Sequence, residues 1–302
     1  MIKKKILIEE IITFLGDKVI NVDGPVQDMF IDNLAEVERV NETTLDWIKP
    51  SKSNKQEIAE QSKARILLVD ESVFPITGKT LIHVKSPKLA LAQIGNHFFV
   101  EPWNSGIHPT AIIHPETQIG KGCYIGPYAV IGKAIIGSHT YIDSHVRIYD
   151  GVVIGHDCVI KDGAVLGGAG FGYEKDEEGN WYHFPQIGQL IIGNNVDIGA
   201  NTCIDRGSLS DTIIEDYSKI SKLCLIAHNN KIGRNVEITG ASMLSGSNVI
   251  EDNVWIAPNS SIRGWVHIEE GATIGMGAVV VKDIPAHETW VGNPARKLEN
   301  KK

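Results

Sequence analysis

The sequence predicts a mainly β protein, a parallel β-helix of hexapeptide repeats preceded by a small α/β domain. Two observations carry this. From Ile107 to Val280 an aliphatic residue returns at every sixth position with few interruptions, a period that matches neither the helix nor the alternating strand and is therefore a tertiary repeat. Four residues beyond each aliphatic one stands a second recurrent position whose occupants are mostly small, among them Thr140, Cys158, Ala164, Thr202, Ser218, Cys224 and Ser260. Six residues then form one side of a triangular coil, and each side turns one large and one small side chain inward.

Residues 1–105 lack this rhythm and read as a separate small α/β domain. Leu7, Ile11, Phe14 and Leu15 share a helical face that Gly16 terminates. Ile66–Val69 and Leu81–Val84 are strand-like apolar runs, and Ser86 and Pro87 open a helix reaching Asn96. The linker falls near Glu101–Gly106 and the coil occupies residues 106–284. Its longest interruption, 167–190, is glycine-rich, then charged, then aromatic, and a loop of this length leaving a rigid prism is usually functional. A shorter break spans Gly207–Thr212, and residues 285–302 read as a tail that leaves the coil.

The formal charge of −8 argues against generic nucleic-acid binding. Glu9 and Glu10 break the apolar stretch after the basic start, so no signal peptide or membrane span is expected and the reading is cytoplasmic. Cys123, Cys158 and Cys224 fall on the small inward position, which makes them core-filling thiols. No two histidines stand eighteen apart within an unbroken run, so convergent imidazoles for zinc are not expected and no metal is assigned.

Used as a ruler, the repeat singles out His228. It lies two residues past Ile226, and the same slot one and two coils later is Gly246 and Gly264. An imidazole on the outer wall would face a ledge cleared of side chains, on which an acyl or pantetheine chain can lie. A backbone N–H near Gly246 can face a developing oxyanion there. A neutral imidazole suits proton abstraction near pH 7. The alternative is an exposed corner histidine beside glycines that only serve turns.

The motifs Gly168-Ala-Gly-Phe-Gly172, Phe184-Pro-Gln-Ile-Gly188, Ile198-Gly-Ala-Asn-Thr202, Ile204-Asp-Arg-Gly207 and Ile226-Ala-His-Asn229 together resemble the UDP-3-O-acylglucosamine N-acyltransferases of lipid A synthesis. The resemblance implies a left-handed β-helix, a homotrimer with active sites between subunits, and a uridine-binding N-terminal domain. It implies His228 as general base and Gly246 as oxyanion donor. Asp205, Arg206, Asn229 and Gly264 match substrate-binding positions, Trp47 falls where the family stacks a ring on uracil, and Lys52 matches a nearby lysine. No tightly bound cofactor is implied; the acyl donor is a phosphopantetheine thioester on acyl carrier protein or CoA, and the acceptor is a nucleotide amino sugar.

The sequence also departs from that family. Pro50 and Ser53 stand where Asn and Tyr are usual, Ser221, Lys222 and Leu225 replace Asp, Asn and Gln before the catalytic position, and Trp265 replaces a second histidine. Residues 279–296 are similar to the close of hexapeptide acetyltransferases that use acetyl-CoA. Two alternatives therefore stand beside the lipid A type: an acetyl-CoA-dependent nucleotide-sugar N-acetyltransferase and a non-catalytic β-helix scaffold.

Overall fold

The computed structural model describes residues 5–34 and 39–299, so the segment Met1–Lys4 of the basic start, and Lys301 and Lys302 of the basic tail, lie outside the described residues. The chain divides into two compact units, residues 1–103 and 104–302.

In the first unit a five-stranded sheet runs in the order Val19–Asp23, Thr80–Val84, Ile66–Val69, Thr44–Trp47, Asn33–Leu34. Val19–Asp23 is antiparallel to its neighbour and the remaining pairs are parallel. Ile66–Val69 and Thr80–Val84 are buried throughout, as expected for central strands covered on both faces. Helices Ile8–Leu15, Lys55–Gln61 and Pro87–Phe98 complete the unit. The first helix begins one residue later than the helical face read from the sequence. Its buried residues are Ile8, Ile11 and Leu15, while Leu7 pairs with Phe30 in a two-residue strand, a pairing that local periodicity does not reveal.

The second unit is a β-helix of three parallel sheets, with eight, eleven and nine strands among the described residues, the eleven including one antiparallel C-terminal strand. Successive coils keep register through their inward aliphatic residues, Ile220 on Ile238 and Ile238 on Ile256. From Ile125 to Val280 the aliphatic residues of the rhythm are at most 2% exposed. Each buried Ile or Leu of this kind contributes about 1.5–3 kcal/mol, so the stack is the principal source of stability. The small polar residues of the second inward position are also satisfied. Thr140 Oγ1 donates to the Gly155 carbonyl at 2.9 Å and Ser218 Oγ to that of Gly233 at 2.7 Å, so neither hydroxyl is left dehydrated without a partner. The expected core thiols Cys123, Cys158 and Cys224 are buried, and Cys203 faces outward.

Both insertions are extruded without loss of register, since Leu166 pairs with Ile204 across the first and Ile204 with Ile226 across the second. The longer one folds into an antiparallel hairpin, Tyr173–Lys175 with Trp181–His183. Its turn is held by Asp176, whose Oδ1 accepts the N–H groups of Asn180 at 2.8 Å and Glu178 at 3.0 Å. The segment expected to leave the coil instead extends it. Thr289–Val291 pairs with Thr273–Ile274, and Trp290, 6% exposed, stacks in register on Ile274. A large ring can close the open end of a prism, so the aliphatic rhythm stops there while the fold continues.

Ile238→Ala is expected to lower unfolding stability by about 2–5 kcal/mol. Leu223→Ala, at a corner where the side chain is 61% exposed, should change it by less than about 0.5 kcal/mol. Chemical denaturation of both variants measures the contrast.

Candidate active site

His228 sits at the corner between strands Leu225–Ile226 and Lys231–Ile232. The ring lies against backbone on two sides. A Cβ placed on Gly246 would stand 2.6 Å from His228 Cε1 and 2.9 Å from Nε2, and one placed on Gly170 would stand 2.9 Å from Cδ2. Only a hydrogen fits at either position, so the two glycines are what allow the imidazole to lie flat between the coil above and the start of the inserted loop. Gly264 continues the clearance, since a Cβ there would be 2.9 Å from the Gly246 carbonyl oxygen. The ledge read from the eighteen-residue ruler is thus present, with a third glycine, Gly170, that the ruler did not reach because it belongs to an interruption.

Asn229 fixes the imidazole. It turns the corner at φ 61°, in the left-handed region that Asn tolerates better than most side chains. Its Oδ1 accepts the Ser208 N–H at 3.1 Å and the Ser208 hydroxyl at 2.7 Å, and its Nδ2 donates to the Ser210 carbonyl at 2.7 Å. A backbone N–H can only donate and a carbonyl can only accept, so these bonds set which end of the amide is oxygen. That oxygen lies 2.8 Å from His228 Nδ1. Nδ1 therefore carries the hydrogen, and Nε2 is left with its lone pair free to accept a proton.

His228 and Asn229 line a cleft of about 750 Å³ together with Tyr173, Phe184, Ser247 and Trp265. Trp265 is 82% exposed at a left-handed corner, where the resemblance led one to expect histidine. Arg206, Asp205, Gly246 and Gly264 do not line this cleft. Arg206 Nε donates to the Gly188 carbonyl at 2.7 Å and its N–H to that of Gly168 at 2.9 Å, so it fastens both ends of the inserted loop. Burial pushes the Asp205 carboxyl up to about 6, against the opposing pull of His228.

In the N-terminal unit Trp47 lines an apolar groove of about 430 Å³ with Leu34, Leu91 and Phe99. Lys52 is exposed in the turn after Trp47 and does not line that groove. No group of three or more His, Cys, Asp or Glu side chains converges as metal ligands do among the described residues, and no described helix is long and apolar enough to cross a membrane.

The sequence reading missed Ser208 and Ser210, which orient Asn229. A signal existed. Counting eighteen back from His228 lands on Ser210, inside the short break at Gly207–Thr212.

Residues 92–133, 133–168 and 249–282 match the family model described as bacterial transferase hexapeptide (six repeats). Among solved structures, a UDP-N-acetylglucosamine acyltransferase of Francisella novicida has a TM-score of 0.58 at 27% identity, over 64% of this chain and 68% of that one. A UDP-N-acetylglucosamine O-acyltransferase of Moraxella catarrhalis gives 0.56 at 26%, over 64% and 73%. Fold and site thus define a hexapeptide-repeat acyltransferase on a left-handed parallel β-helix. Relatives over nearly the whole chain narrow the class. The UDP-3-O-acylglucosamine N-acyltransferase of Coxiella burnetii is 32% identical over 293 aligned positions, 89% of this chain and 83% of its own length. That of Francisella tularensis subsp. holarctica, numbered 1, is 36% identical over 315 positions, 96% and 90%. The chain belongs to this family and is an N-acyltransferase, which sets aside the non-catalytic scaffold.

Gly246→Ala is expected to fold while displacing the imidazole, because the added methyl overlaps Cε1. A displacement on the scale of 1 Å lowers turnover about 10²-fold, which steady-state kinetics beside a melting curve would register.

Proposed function

We propose that this chain transfers an acyl group from a phosphopantetheine thioester to the amine of UDP-3-O-acylglucosamine, a lipid A-type reaction. His228 acts as the general base and the Gly246 N–H as the oxyanion donor. The observation that carries the proposal is the Asn229 clamp, which leaves Nε2 of a half-buried imidazole as a proton acceptor beside the cleft. The substrate is the one that the relatives' names print.

The chemistry needs little else. The amine nitrogen attacks the thioester carbon and passes a proton to His228 Nε2; the carbonyl oxygen becomes an oxyanion; its collapse breaks the C–S bond, and the proton leaves on the thiolate. The Gly246 N–H donates to no acceptor among the described residues, so it is available to the oxyanion beside the ring. General-base catalysis of this kind contributes roughly 10²–10⁴-fold, with positioning and the oxyanion donor supplying further terms.

The same reading includes a homotrimer working in the cytoplasm. Support for self-association comes from the outward face of the eight-stranded sheet, where Ile135, Val153, Ile191 and Ile213 stand on successive coils, with Ile135 46% exposed. Trp47 is assigned to stacking on uracil, supported by its apolar groove, while Lys52, Arg206, Asn229 and Gly264 stand as substrate-binding positions by resemblance; for Asp205 the match to such a position is of sequence alone. For Asn229 and Gly264 the geometry favours holding and clearing the ledge. Acyl carrier protein is the proposed donor, with CoA as the competing one.

His228→Ala should lower kcat by about 10²–10⁴-fold with the melting temperature kept. A long-chain acyl carrier protein thioester should support amide formation where acetyl-CoA does not; the reverse result would sink the lipid A-type assignment. Trp47→Ala should raise KM for the nucleotide sugar roughly tenfold, since a stacked base is worth about 1–3 kcal/mol.

A further inference from the structure

We propose that Asp205 is a positioning residue for His228, a carboxylate seated behind the imidazole that stabilises its protonated form during attack, and not a ligand for the sugar. The inference rests on His228 being the base. Strand Cys203–Asp205 lies one coil beneath Leu225–Ile226, with Ile204 paired to Ile226, so Asp205 emerges beneath Ala227, the residue before His228. On its other side Asp205 pairs with Gly168, past a local irregularity at Leu166/Gly168. Small residues above and below leave room for the carboxylate on the outer wall, and the loop that begins at Gly168 carries Gly170 onto the imidazole.

The surroundings offer this carboxylate no other employment. It accepts no hydrogen bond from any described residue, and the charged group that acts on it is His228. Cys203, on its own strand, is a thiol that burial and then Asp205 push up. Arg206 turns its guanidinium to the Gly188 carbonyl. Asp205 is also absent from the lining of the cleft in which His228 and Asn229 take part.

The arrangement lowers stability at neutral pH. Folding raises the Asp205 carboxyl from 3.8 to about 6, so the fold favours the protonated acid: that contribution is complete below 3.8 and is lost as pH rises through about 6. At pH 7 the group is ionised, partly dehydrated and unpaired until the imidazole takes a proton. The negative charge then meets a positive one, so the field of Asp205 favours the state formed as the amine is deprotonated. No bond to Asp205 forms or breaks. The proton moves from the amine to Nε2 and on to the thiolate.

The test compares the full-length wild type with Asp205→Asn, Asp205→Ala and His228→Ala, using one acyl thioester and one nucleotide amino sugar. For Asp205→Asn, kcat should fall about tenfold, the equivalent of one unit of lost proton affinity. KM for the sugar should stay within about twofold, because only groups that touch the ground-state substrate set it. The acid limb of the kcat profile should move to lower pH, and the melting temperature at pH 7 should be unchanged or higher. In imidazole nitrogen NMR, which needs no turnover, the titration midpoint of His228 should drop by about one unit in Asp205→Asn, with Asp205→Ala reproducing the shift. A sugar KM raised tenfold at unchanged kcat makes Asp205 a sugar ligand and overturns the proposal, as does an unmoved NMR midpoint. Retained activity in His228→Ala instead overturns the general-base reading, whatever the NMR arm reports.

Discussion

Everything in the coil domain depends on one constraint: the inward aliphatic residue of each side must stand on that of the coil beneath. A narrow prism has room for one large and one small side chain per side, and burying the large one is the main return for ordering six residues. Ile220, Ile238, Ile256 and Ile274 form one such column. The outer wall inherits its order from the inner one, because once the inward residues are stacked, outward residues are stacked as well. Asn229, Ser247 and Trp265 therefore occupy one corner edge, and Gly246 and Gly264 lie above His228, without any of these residues contributing to the core.

The rigidity that stacks side chains also limits what the wall can do, and the chemistry arises where the rhythm is interrupted. The break at 207–212 brings Ser208 and Ser210 to the Asn229 amide, and that amide decides which imidazole nitrogen holds the hydrogen. The break at 167–190 supplies Gly170 against the ring and Tyr173 and Phe184 to the cleft. A continuous coil would present His228 as a solvated corner residue. Two insertions that keep the inward residues in register turn it into an imidazole held beside a cleft, at the expense of local stability around a half-buried carboxylate.

The legible part of the structure follows this division. The β-helix, the core cysteines and the glycine ledge could be read because each follows from spacing along the chain, and Ile226 as the inward residue immediately locates His228 on the wall. The helix start at Ile8 could not be read, because Leu7 joins a two-residue strand whose partner Phe30 lies elsewhere in the sequence. The C-terminal strand escaped because Trp290 fills the prism with a ring where the pattern sought an aliphatic residue. Asp205 and Arg206 carried a family expectation of substrate contact. The hydrogen bonds of Arg206 to Gly188 and Gly168, which spacing does not encode, tie it to the inserted loop, and strand pairing brings Asp205 beneath Ala227.

The sequence by itself determined the period, the coil, the identity of the histidine and the glycines above it, since a repeat of fixed rise converts position in the chain into position in space. Tertiary structure alone decided the tautomer of that histidine, the third glycine against its ring and the company of Asp205. These depend on residues that insertions displace from the repeat, and once the chain leaves the prism its path is set by hydrogen bonds across the loop, with no count along the sequence to predict them.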